Sequence, residues 1–410
     1  VLPDLPDNLT SMSHRPLHAV LLPAVAQAGR LLEVLAAALD GTGPAILPVD
    51  PRLPPGKVTA LLRALGPDTL ETEAGTERLT PAGPAALAPG TAVVIATSGS
   101  TGEPKGAELS AAALRHSAGA SLARLGAAPG QQWLSCLPPS HISGLQVFVR
   151  SLLAGTDPVV VPRLDSPAAA AGPGCDYVSL VPTQVRHLLD QPGGPAALAS
   201  FRGILLGGAA VPAGLLAQAR AAGARVVTSY GMTETCGGCV YDGRPLDGVS
   251  VRIAADGRIQ LAGPVLFSGY RGRPELSVAA MDGPWFVTSD LGSLDGSGRL
   301  TVRGRADGMI NTGGEKVAAD EVAAVLAGCP GVRDVAVTGR ADPEWGELVT
   351  AVVVPADPAD PPSLAALRAA ATGKLPGFAV PRAMVLVPAI PLLRSGKPDL
   401  QALRQLAAGN

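Results

Sequence analysis

The chain has 410 residues, and its 32 Lys plus Arg against 34 Asp plus Glu leave a formal net charge of −2. That balance supplies no basic face for nucleic acid, and a hydrophobic content of 47% provides a packed core and excludes disorder of the whole chain. No apolar run reaches the ~18 residues of a membrane-spanning helix. The five scattered cysteines, Cys136, Cys175, Cys236, Cys239 and Cys329, form no disulfide framework, so the expected compartment is the cytoplasm.

Residues 17–28, behind Arg15, weakly imitate a secretory signal. His18 and Pro23 interrupt the run and a helical pattern follows at once, so no signal is expected there. A helix over 28–39, a strand over 45–49 and a helix over 57–65 come next. From 90 to 230, short apolar runs at 92–96, 133–137, 158–161, 177–181, 202–206 and 225–228 alternate with helical stretches at 110–125, 146–153, 183–189 and 212–222. This alternation predicts an α/β fold with parallel sheet covered by helices. Beyond Pro245, glycine-punctuated runs at 249–253, 258–262, 285–288 and 300–303 predict a β-rich subdomain. A small α+β unit is expected last, with helix 319–327, strands 332–338 and 348–354, helix 364–374 and strand 384–387. The expected division is a large domain over 1–304, with 244–304 as its β-rich part, and a small mobile domain over 305–410.

The strongest local signal is residues 97–106, Thr-Ser-Gly-Ser-Thr-Gly-Glu-Pro-Lys-Gly, directly after a buried strand. Glycines let backbone N–H groups close around an anion, hydroxyls donate to phosphate oxygens, and Lys105 brings a mobile charge. The spacing is not that of the Walker loop. Only five of the cations are lysines (Lys57, Lys105, Lys316, Lys374 and Lys397), which makes a Pro-Lys inside this loop more telling.

The segment resembles the phosphate loop of the adenylate-forming superfamily, which includes acyl- and aryl-CoA synthetases and adenylation domains. Four more motifs in the same order carry the resemblance: Ser-Tyr-Gly-Met-Thr-Glu-Thr at 229–235, Thr-Ser-Asp-Leu-Gly at 288–292, Gly-Arg-Ala-Asp at 304–307 with Asn-Thr-Gly-Gly at 311–314, and Leu-Arg-Ser-Gly-Lys at 393–397. Ser289 stands where the family usually has glycine. The resemblance implies that Thr97, Ser98, Gly99, Ser100, Thr101, Gly102 and Lys105 hold phosphates. It implies that Tyr230, Gly231 and Met232 lie along the adenine, Thr233 meets the α-phosphate, and Glu234 binds Mg2+. Asp290 would accept from the ribose hydroxyls, Arg305 would reach the nucleotide, and Asp307 would be the hinge. Gly313 and Gly314 would line the thiol tunnel. Lys397 would be the catalytic lysine, and the reaction would use ATP, Mg2+ and coenzyme A.

For the acid, residues 137–145 (Leu-Pro-Pro-Ser-His-Ile-Ser-Gly-Leu), 178–189 and 206–210, together with the short chain, resemble the o-succinylbenzoate–CoA ligase branch of menaquinone synthesis. His141 and Ser143 would lie beside the acyl group, Gly207 and Gly208 would floor the pocket and pass near adenine, and Ala209 would be on the nucleotide side. Arg150 would offset the second carboxylate of a diacid. Another aryl- or acyl-CoA synthetase, a stand-alone domain loading a carrier protein, and a nucleotide-binding protein without catalysis are the competing readings. The sequence leaves the oligomeric state open, a homodimer included. Cys236 and Cys239, a C-x2-C pair without a second pair, read as small side chains behind the adenylate site and not as a zinc centre.

Overall fold

The computed structural model describes residues 15–80, 86–98, 104–392 and 398–409. Leu17–Val20, the start of the signal-like run, is a strand with all four residues buried. It pairs in parallel with Ala45–Pro48 on one side and with Thr69–Thr72 on the other. Burial on both faces is why it reads as a continuous apolar run and not as an alternation. Thr91–Ser98 extends this sheet in parallel. Pro104–Ser110 then returns antiparallel to it, pairing Thr97 with Lys105, and Gly269–Tyr270 closes that edge. The return strand was not expected, because Pro104 and Gly106 read as loop residues.

A second seven-stranded sheet runs in the order Arg244–Pro245, Gly237–Tyr241, Val226–Met232, Gly203–Leu206, Tyr177–Leu180, Trp133–Ser135, Val159–Val160. Its last five strands are parallel, as the apolar runs suggested, and its first two are antiparallel additions. The helices Ala28–Asp40, Ala111–Leu125 and Ile142–Ala154 lie between the two sheets and contribute Leu31, Leu35, Leu114, Leu145 and Phe148 to one core. Pro55–Leu65 covers the outer face of the first sheet. Pro182–Leu189 and Ala213–Ala221 cover that of the second. The result is a five-layer α/β sandwich.

Ile142–Ala154 begins four residues before the expected helix. Its entry, Ser-His-Ile-Ser-Gly, has loop composition, but Gly144 must be glycine for a steric reason. A Cβ there would stand 2.5 Å from the Leu137 carbonyl oxygen, so only glycine lets the first turn dock on the loop before it.

The antiparallel strands Ser250–Ile253, Arg258–Ala262, Trp285–Leu294 and Leu300–Arg305 form the β-rich part. Past the short turn Ala306–Gly308, the long hairpin Val332–Asp342/Gly346–Pro355 carries the last sheet. Ala319–Leu326 and Leu364–Ala371 cover one of its faces. Leu400–Ala408, a helix not anticipated, covers the other through Leu403. Asp399 caps it by accepting from the N–H groups of Gln401 and Ala402.

Candidate active site

The site is built where Val226–Met232 leaves its parallel neighbour. The strand pairs with Gly203–Leu206 up to Thr228, then with Gly237–Tyr241, and a bulge at Tyr230/Gly231 shifts the register. Gly231 permits this: a Cβ would run into the Gly237 carbonyl oxygen and stand 2.7 Å from Gly238 Cα. The chain then makes the tight turn Thr233–Thr235. Thr235 Oγ1 accepts from the Met232 N–H at 2.9 Å and donates to the Gly237 carbonyl at 2.7 Å, which pins the turn at both ends. Thr233 and Glu234 are left part-exposed at its tip.

Two phenol–carboxylate arms flank this turn. Tyr270 donates to Glu234 Oε1 at 2.8 Å, and its ring lies 5.6 Å from Lys105 Nζ. Tyr230 donates to Asp290 Oδ2 at 2.8 Å, and the other oxygen of Asp290 stands 3.9 Å from Arg305. Burial, and then the neighbouring carboxylate, push both phenols well above the usual tyrosine range. Both therefore remain protonated donors, and each phenol fixes the orientation of its carboxylate through one oxygen. Thr288 fixes the Asp290 backbone through its hydroxyl, which accepts from the Asp290 N–H at 3.0 Å.

On the neighbouring strand, Gly207 and Gly208 follow Leu206. A Cβ on Gly207 would stand 2.7 Å from the Ser229 carbonyl oxygen, and Gly208 has φ +82°, so both positions require glycine. Ala209 is half-buried beside them. His141 stands at the position just before Ile142–Ala154, with Ser143 half-buried in the first turn of that helix. Asp50, which follows the Ala45–Pro48 strand, is buried. Burial raises its carboxyl, but bonds from Arg52 outweigh this and hold it below the usual range, and His141 adds a smaller share. That places the two residues in one electrostatic neighbourhood.

The structure thus gathers Lys105, Thr233, Glu234, Tyr230, Gly231, Met232, Asp290, Arg305 and Gly207 around one turn. Thr97 lies beside Lys105 in the register. Gly99, Ser100, Thr101, Gly102 and Lys397 lie outside the described residues, as does the side chain of Ser98. Gly313 and Gly314 are not part of this cluster of contacts. Gly313 packs against Trp345 and donates its N–H to the Trp345 carbonyl at 2.8 Å. Arg150 is 3% exposed and stacks 4.2 Å over Trp133. It donates to Ser179 Oγ at 2.9 Å and Ser121 Oγ at 3.3 Å, and its Nε has no hydrogen-bond partner.

Tyr270 was absent from the sequence-based list. Its only signal is a Gly-Tyr pair remote from every motif. Cys236 and Cys239 are fully buried, and burial pushes the Cys239 thiol up to about 12, so neither is a nucleophile near neutral pH. Among the described residues, no three His, Cys, Asp or Glu side chains form a metal-binding group.

Comparison with known proteins bears on this geometry. Residues 33–270 match the AMP-binding enzyme family and residues 321–397 the AMP-binding enzyme C-terminal domain. The chain is 47% identical to a probable 2-succinylbenzoate–CoA ligase of Mycobacterium tuberculosis over 78% of its own length and 85% of that protein. It is 32% identical to an indoleacetate–CoA ligase of Aromatoleum aromaticum, over 77% and 67%. Among solved structures, it superposes with a TM-score of 0.80 and 27% identity on the Bacillus subtilis o-succinylbenzoate CoA synthetase in complex with its acyl-adenylate intermediate, covering 96% of this chain and 89% of that one. The chain belongs to the AMP-binding enzyme family and is an adenylate-forming ligase.

Proposed function

We propose that this ligase joins 2-succinylbenzoate to coenzyme A at the expense of ATP. The observation that carries the reading is the pair of phenol–carboxylate arms around the Thr233–Glu234 turn; we assign one to a ribose and one to the phosphates. The 47% identical relative supports the choice of acid. In the first half-reaction a carboxylate oxygen of the acid attacks the α-phosphorus, and pyrophosphate leaves. In the second, the thiol sulfur attacks the acyl carbon, AMP leaves carrying that same oxygen, and the thiol proton passes to solvent.

Little covalent chemistry falls to the protein, so positioning and charge neutralisation supply the catalysis. Asp290 accepts from the ribose hydroxyls, and Tyr230 holds that carboxylate in place. Thr233 donates to the α-phosphate. Lys105 and Lys397 offset charge on the phosphates and the reacting carboxylate. Glu234 fits Mg2+, a hard cation that keeps most of its waters and needs few protein oxygens; when bound, the ion neutralises phosphate charge. We place the hinge of a C-terminal domain, residues 305–410, at Asp307. Its rotation would withdraw Lys397 and bring Gly313 and Gly314 to the thiol path.

We assign His141 and Ser143 to the acyl group and the glycines at 207–208 to the floor of its pocket. Arg150 serves the second carboxylate of the diacid. Its buried guanidinium has two serine hydroxyls, the Tyr241 hydroxyl and the Trp133 ring as partners but, among the described residues, no acidic one. A second reading, an aryl-CoA ligase for a monoacid, is favoured by the relative named as an indoleacetate–CoA ligase.

A panel of 2-succinylbenzoate, benzoate, indoleacetate, fatty acids and amino acids, with ATP, Mg2+ and coenzyme A, separates the two. Thioester with 2-succinylbenzoate alone is expected, and turnover of a monoacid in its place contradicts the choice of acid. In the same assay Arg150→Leu should raise KM for the diacid roughly tenfold or more and leave a slow monoacid unaffected. Equal loss with both overturns the role of Arg150.

A further inference from the structure

The carbonyl oxygen of Cys236 accepts two side-chain hydrogen bonds from two different helices. Ser117 Oγ on Ala111–Leu125 lies at 3.0 Å, and Gln146 Nε2 on Ile142–Ala154 at 2.8 Å. Both donors are 3% exposed. Cys236 has φ +51°, a left-handed conformation that side chains other than glycine, asparagine and aspartate rarely adopt, and it ends the Thr233–Thr235 turn. A strained residue persists only where its surroundings hold it; the Cys236 N–H is held by the Thr233 carbonyl at 3.0 Å within the turn, and these two donors hold its carbonyl from outside.

Gln146 is present for its donor. Its amide Oε1 makes no hydrogen bond, and a leucine would fill a buried helix face equally well. The same helix begins at His141, on the acid side of the site.

We propose that Gln146, assisted by Ser117, is a positioning residue that locks the Thr233–Glu234 turn in its nucleotide-facing geometry and ties it to the helix that borders the acid. The inference rests on the roles given above to Thr233 and Glu234. Neither donor touches nucleotide; each acts through the Cys236 peptide.

The test compares the full chain with Gln146→Leu and Ser117→Ala. Calorimetric affinity for Mg2+ with a non-hydrolysable ATP analogue is read beside melting temperature and thioester formation from supplied acyl adenylate. Affinity for the analogue should fall about fivefold or more in Gln146→Leu and two- to threefold in Ser117→Ala. Conversion of supplied adenylate, which needs no metal but keeps the α-phosphate that Thr233 meets, should fall by a smaller factor than the affinity for the analogue. A lowered melting temperature with unchanged analogue affinity means a merely structural role and overturns the proposal. If Gln146→Leu does not fold, Ser117→Ala decides by the same criterion. Failure of the unmodified chain to bind the analogue contradicts the functional reading instead.

Discussion

Tyr270 joins two charged residues that arrive from different sheets, Lys105 from the first and Glu234 from the turn of the second. The ring borders the ammonium while the hydroxyl restrains the carboxylate, so the two functions can be separated. Tyr270→Phe keeps the ring and removes the donor. A hydrogen bond to a charged group contributes about 1.5–3 kcal/mol, so KM for Mg·ATP in pyrophosphate exchange should rise about tenfold with the fold intact. An unchanged KM would mean that Glu234 is oriented by other means. At this scale the sequence marked residues that belong to contiguous motifs, such as Thr233, Glu234 and Asp290, and the structure brings these around one turn. It did not reveal Tyr270, Gln146 or Ser117, because each works through a partner more than thirty positions away and has no local pattern of its own. Arg150 was legible as a cation on an apolar helix, but not as a ring-stacked group with serine partners.

Among the elements, the first sheet holds the clearest electrostatic tie. Glu71, on Thr69–Thr72, accepts from Arg30 Nε at 2.7 Å, and His18 Nε2 lies 2.7 Å from its other oxygen. The bond from Arg30 leads in holding the Glu71 carboxyl below the usual range; burial opposes it, and His18 adds to the lowering. A depressed carboxyl stabilises the fold fully above the unfolded value near ~4.3, and that contribution is lost as pH falls through the lower folded value. Glu71→Gln should therefore cost about 1.5–3 kcal/mol at pH 7, with the difference from the unmodified chain shrinking below about pH 4. Denaturant titrations at both pH values check this, and a pH-independent difference contradicts it. Element type was legible wherever one periodicity ran unbroken, as in the buried strand at Tyr177–Leu180 and the amphipathic helix Ala28–Asp40. It failed at Pro104–Ser110 and at the start of Ile142–Ala154. There Gly106 and Gly144 are set by close packing and not by a turn: a Cβ on Gly106 would stand 2.7 Å from Leu65 Cδ2.

For the whole molecule, five layers bring the ends of two sheets to one turn, and the last sheet follows through Leu300–Arg305 and the Ala306–Gly308 turn. Beyond that turn, Arg333 pairs with Asp190 at 2.7 Å and its carbonyl accepts from Arg186 at 2.8 Å. Both side chains of the Arg333–Asp190 pair are about half exposed, and such pairs contribute only ~0–1 kcal/mol. A contact this weak is compatible with the proposed rotation about Asp307. The order of the motifs made the adenylate-forming architecture legible, while the pairing of strands across layers was not, since it depends on contacts between segments with no sequence relation. The central claim is that the acid is activated as an acyl adenylate. It is tested most directly by running the reaction with 18O in the acid's carboxylates and weighing the nucleotide product. AMP carrying one 18O atom is expected, because the attacking carboxylate oxygen stays on the α-phosphorus when the thiol displaces AMP. Unlabelled AMP, or label in ADP or phosphate, would contradict the account.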